Sequence, residues 1–172
     1  DDDTARKAAR TAEKKAMRKR LLDAVAVLKN VVLAVEKRKY SEEVLLAQKH
    51  TLVEALNVLW STPIAVGKKA VHTLNSAFTE ASTALEEPLV ITLVYLSKLL
   101  LVSESNAEEK AAGAHCVIDL VNIDRMQSVL RMALYGNDAL KQACETVSDA
   151  LVNTPTFGES AEGAGRLLRL YS

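Results

Sequence analysis

The run at residues 89–102, Leu-Val-Ile-Thr-Leu-Val-Tyr-Leu-Ser-Lys-Leu-Leu-Leu-Val, constrains the fold of this chain more than any other stretch. Eleven of its fourteen residues are Leu, Val, Ile or Tyr, so a helix built from it carries large apolar side chains on every face. Such a helix has to be enclosed by other elements. The run falls short of the ~20 residues that cross a bilayer, so the expectation is a buried core helix in a protein with no transmembrane segment.

What encloses it can be read from the helical periodicity elsewhere. Leu21, Val25, Leu28, Val32 and Val35 recur at helical spacing and end a long helix spanning about 4–39. Ser41 caps a second helix running to about residue 61, which buries Leu45, Leu52, Val53, Leu56, Leu59 and Trp60. Thr62 and Pro63 read as a cap followed by the first helical position, opening a helix striped by Ile64, Val71, Leu74 and Phe78. Residues 79–87 form a frayed end or a loop, and Pro88 opens the central helix. Ser105 and Glu108 have capping-box spacing ahead of a helix to about residue 121. Asn122 caps a short helix that ends at Gly136, and Asn137 caps the next one, to about residue 153. A final helix reaches about residue 171, with the glycines at 158–165 serving turns and caps. No stretch alternates with period two, so no sheet is expected.

The expected fold is therefore all-α, with about eight helices in a stacked solenoid or an irregular bundle. Residues 1–20 form a basic helical extension and 21–172 a helical domain. The segment Ala111, Ala112, Gly113, Ala114 is echoed at Ala161, Glu162, Gly163, Ala164, an offset of 50; weaker echoes at other offsets link His72 with His115 and Leu120 with Leu151. Small residues followed by apolar pairs resemble the last helix of an armadillo or HEAT repeat. That resemblance implies an α-helical solenoid and a scaffold that binds proteins through a groove or a helix face.

The charge is unevenly spread. Formal net charge is zero, yet up to Tyr40 there are twelve Lys and Arg against six Asp and Glu, and the remainder carries ten against sixteen. The basic excess lies in the extension, where Arg6, Arg10, Lys14, Lys15, Arg18 and Lys19 are the candidate partner-binding residues for an acidic protein surface. Nucleic acid or an anionic lipid surface is the alternative ligand, although no aromatic residues are interleaved with the cations.

Nothing in the sequence assembles a nucleophile, a base and an oxyanion site, so an enzyme is not expected. His50, His72 and His115 lie far apart in the sequence, and no metal or cofactor is expected; His72 and His115 read as partly buried packing residues. His115 and Cys116 are adjacent on a helix and point about 100° apart, too divergent for a nucleophile and its base. The glutamate pairs at 42–43, 86–87 and 108–109 sit at helix starts, where the helix dipole accounts for them. Cys116 and Cys144 lack metal or redox spacing and suit buried thiols in a reducing, intracellular and cytoplasmic setting.

Overall fold

The computed structural model describes residues 1–61, 70–81, 83–102, 104–154 and 160–172. Among them are nine α-helices and no strand: α1 (Asp2–Lys37), α2 (Glu42–Ala47), α3 (Lys49–Ser61), α4 (Ala70–Ala81), α5 (Glu86–Val102), α6 (Ala107–Asn122), α7 (Asp124–Leu134), α8 (Asp138–Val152) and α9 (Ser160–Tyr171). The fold is all-α. The helix start expected at Pro63 lies outside the described residues.

Helix α5 is enclosed as its composition requires. It packs against α1, α2, α4, α6, α7 and α8, and every residue from Pro88 to Val94, together with Leu96, Ser97, Leu100 and Leu101, is buried. Two hydroxyls lie within this apolar helix. Thr92 donates to the Pro88 carbonyl and Ser97 to the Leu93 carbonyl, both at 2.6 Å, so neither reaches the core unsatisfied. Helix α5 begins at Glu86, and Pro88 sits in its first turn, where a missing N–H costs nothing.

The described helices fall in chain order into triplets α1–α3, α4–α6 and α7–α9, and the packing runs from one to the next. Within triplets α1 lies along α3, α5 along α6, and α8 along α9; between triplets α5 meets α1 and α8, while α6 meets α3 and α9. Cross-links give the directions. Lys49 reaches Glu109 while Trp60 reaches Asp119, so α3 and α6 run parallel. Ile118 lies against Gly163, and Asn122 accepts from Arg166, so α6 and α9 run parallel too. Helices α5 and α8 start at Glu86 and Asp138, 52 residues apart.

Several local expectations are corrected. The helix expected over 41–61 breaks at Gln48 (φ −105°, ψ 7°): both halves pack on α1, but α2 also packs on α5 while α3 packs on α4 and α6. The capping box belongs to Asn106 and Glu109, one residue later than the Ser105 and Glu108 spacing suggests. Asn122 ends α6 instead of capping α7, whose cap position is Ile123. Gly163 and Gly165 lie inside α9 and serve neither turn nor cap. Helix α4 continues through Ala81 and is followed by a 3-10 turn at Thr83–Leu85. Gly136 (φ +70°) does end the α7 segment in the left-handed region, and Asn137 does cap α8 through the Leu140 amide at 3.0 Å.

Cys116 and Cys144 are free and buried, and burial pushes the Cys116 thiol far up and the Cys144 thiol to about 12. A thiol-reactive disulfide reagent at pH 8 is therefore expected to label neither in the folded protein and both once denaturant is added. Labelling in native buffer within seconds would show that the core around α6 and α8 opens locally.

Candidate interaction surfaces

Among the described residues, two regions are candidates: the N-terminal half of α1, and the region where α3, α6 and α9 lie side by side. The first follows from what α1 has to bury. Its buried residues are Ala24, Leu28, Val31, Val32 and Val35, and Met17 and Leu21 are half-buried; every residue from 1 to 16 is exposed. With about 1.5 Å of rise per residue, those sixteen residues form an arm about 24 Å long. Asp1 caps it, and Asp2 and Asp3 sit in its first turn, where their negative charge is stabilised by the positive end of the helix dipole.

All six candidate cations, Arg6, Arg10, Lys14, Lys15, Arg18 and Lys19, are exposed on α1, and among the described residues none makes an ion pair. They do not share one face. At 100° per residue Arg6, Arg10 and Lys14 continue the side that carries Met17 and Leu21. Lys15 and Lys19 fall on the other side, where with Arg18 they rim a hollow of about 510 Å³ floored by Ala12, Ala16 and Leu22.

The second surface was missed by the sequence reading. The bonds between its helices join residues 44 to 60 positions apart, and local periodicity carries no trace of such pairs. Lys49 of α3 pairs with Glu109 of α6 at 2.6 Å and also donates to the Ser105 hydroxyl at 3.2 Å. Asn57 donates to Glu108 at 2.6 Å. The half-buried Trp60 donates its indole N–H to the buried Asp119 at 3.0 Å, and its ring lies 5.2 Å from that of His115, tilted by 42°. Farther along, Arg166 of α9 holds both Asn122 and Glu162. These links tie three parallel helices together, with α6 set deep between its neighbours: from Ala112 to Val121 every residue but His115 is buried.

Two depressions mark this face. One, about 510 Å³, lies between the N-terminal ends of α3 and α6, with Leu46, Ala47 and Val53 beside Glu54, Glu108 and Glu109; Lys49, His50 and Asn106 complete its rim. A smaller one of about 170 Å³ lies between α6 and α9 at Ile118, Asn122, Glu162, Gly163 and Arg166. Glu109, which the helix dipole alone seemed to explain, has three tasks: it pairs with Lys49, accepts from the Asn106 amide at 3.3 Å, and opens α6.

The hydrogen bond from Lys49, aided by the Asn106 amide, holds the Glu109 carboxyl below its ordinary value of 4.5. A depressed carboxyl adds stability that is fully present above its unfolded value and is lost as pH falls through the folded one. Wild type is accordingly expected to melt above Glu109→Gln at pH 7, with the gap closing as the buffer is taken below 4. A gap that stays constant across that range would show that the pair adds nothing specific.

The histidines stand apart. His50 is exposed, 3.2 Å from Glu54, and His72 is exposed on α4, against the expectation that it packs; His115 is half-buried against Trp60. Among the described residues no three His, Cys, Asp or Glu side chains gather as a metal site, and no helix is long and apolar enough to cross a membrane. The chain matches no protein-family model, no curated protein and no solved structure.

Proposed function

We propose that this protein is a non-enzymatic scaffold of armadillo type that binds an extended segment of a partner protein along the α3, α6 and α9 face. The observation that carries this reading is the recurrence of one packing scheme. Helix α5 lies along α6 as α8 lies along α9, and each member of the first pair meets its counterpart in the second. Helical arrays in which each unit contacts its neighbours form extended binding faces. The echo at Gly113 and Gly163 supports the same reading, because both glycines are buried, in α6 and α9, the third helices of successive triplets. The 52-residue step is longer than the ~40–47 residues of such repeats. The reading places the protein inside the cell, where two unpaired buried thiols persist.

The test is selection from a displayed library of unstructured peptides. Selected peptides are expected to lose at least about tenfold in affinity when Glu54 and Glu108 are both changed to Lys, given the worth of a few charge pairs. The same peptides should tolerate Glu145→Lys on the exposed side of α8. Peptides indifferent to Glu54 and Glu108 would overturn the assignment of the face.

The unpaired cations of the arm favour a second reading, in which α1 binds a phosphate-bearing polymer or an anionic surface. Binding of a single-stranded oligonucleotide would then fall steeply with salt and vanish when Lys14, Lys15, Arg18 and Lys19 are made Glu. Salt-independent binding would sink that reading.

A further inference from the structure

We infer that the arm of one copy docks into the groove between α3 and α6 of a second copy, assembling the chain head to tail. This deepens the proposal that the α3–α6 face binds a protein segment by naming the segment. The arm offers a hollow floored by Ala12, Ala16 and Leu22 and rimmed by Lys15, Arg18 and Lys19. The groove offers a rim of net opposite charge: Leu46, Ala47 and Val53 lie beside Glu54, Glu108 and Glu109, with Lys49, already paired to Glu109, and His50 on the same rim. Leu22 and Leu46 are each 59% exposed, and both lie in these two depressions. Alanines permit the close approach that brings a helix into a groove, and the rims are of opposite sign.

The contact has to be made in trans. Helix α1 is unbroken over 36 residues, about 54 Å. Helices α2 and α3 follow from its C-terminal end, and α3 packs back along it, so the N-terminal end of α3 lies at the opposite end of α1 from the arm. A straight helix cannot bring its own arm into that groove. A second copy can, and the zero net charge leaves no overall repulsion between copies. Because the two surfaces differ, each docked copy leaves one arm and one groove open, so the assembly grows into chains or rings.

Sedimentation velocity on the full chain tests this. At low ionic strength the protein is expected to associate beyond a dimer with rising concentration, and to disperse in about 1 M salt, where charges are screened beyond ~3 Å. Two exposed-surface variants separate the partners: Lys15→Gln, Arg18→Gln, Lys19→Gln removes the cations that rim the arm's hollow, and Glu54→Gln, Glu108→Gln removes the two groove carboxylates that Lys49 does not hold. Each alone should lose at least about tenfold in association, and their equimolar mixture should form a 1:1 dimer and nothing larger. A monomeric wild type at all concentrations overturns the inference, as does a mixture that stays monomeric or variants that associate as wild type does. An arm that binds an oligonucleotide while the chain stays monomeric assigns it to phosphate polymers instead. Peptide selection at high dilution reads the groove without self-association, so it can fail or succeed independently of this result.

Discussion

Leu96→Asp is expected to leave the protein unfolded at 25 °C, with loss of the helical circular dichroism signal and of any cooperative thermal transition. Leu96 is fully buried at the middle of α5, the helix that α1, α2, α4, α6, α7 and α8 enclose. Truncating a buried Leu costs about 2–5 kcal/mol through lost transfer energy and the cavity left behind. Placing a carboxylate there adds the cost of stripping its water, several kcal/mol more. The sum matches or exceeds the ~5–15 kcal/mol that holds a typical domain together. Val102→Asp is the control: that residue ends the same helix 53% exposed, and its change should stay within about 0.5 kcal/mol. A folded, monomeric Leu96→Asp protein would mean that α5 is not the centre of the core.

Gly113→Ala should destabilise the protein by about 1–3 kcal/mol, against the helix propensity that favours Ala by about 1 kcal/mol. A Cβ at Gly113 would sit 2.9 Å from Leu100 Cβ, 3.1 Å from Leu101 Cγ and 3.3 Å from the Ser97 carbonyl oxygen. The first and last of those atoms are set by the α5 backbone and cannot swing aside, so α5 and α6 must move apart. Gly165→Ala, on the half-exposed side of α9 with nothing within 4 Å, should have the opposite sign and stabilise by about 0.5–1 kcal/mol. Urea denaturation of the two variants beside wild type reads both signs. Two stabilising outcomes would show that α5 and α6 do not approach as closely as described.

Much of the fold was legible because its cause is local or compositional. An apolar run with no polar face must be enclosed, and α5 is enclosed. Gly136 had to end a helix because the left-handed backbone there suits a residue without a Cβ, and Asn137 could cap the next helix through an amide three residues ahead. The basic cations were equally legible, since residues 5–20 hold eight Lys and Arg with Met17 as the one large apolar side chain, and such a stretch must stay in water. Their split into two rows follows from 100° per residue, and the hollow at Ala12, Ala16 and Leu22 follows from small side chains beside long ones.

The remainder was decided where the sequence allows two equivalent answers and a distant residue selects one. Ser105 with Glu108 and Asn106 with Glu109 both satisfy capping-box spacing. The second pair forms because Lys49, 60 positions away from Glu109, takes that carboxylate and the Ser105 hydroxyl. Asn122 has the chemistry of a cap for α7, yet the protein uses it as the last residue of α6, where it accepts from Arg166. Residues 42–61 read as one amphipathic helix, and they break at Gln48, where the second neighbour beside α1 changes from α5 to α4 and α6. Composition and periodicity thus determined which segments are helical, which one is central and where the free cations lie, since each depends on residues within a few turns. Helix pairing, and with it the α3, α6 and α9 face and its groove, was decided by the tertiary structure, because the bonds that build it join residues brought alongside only when the core closes.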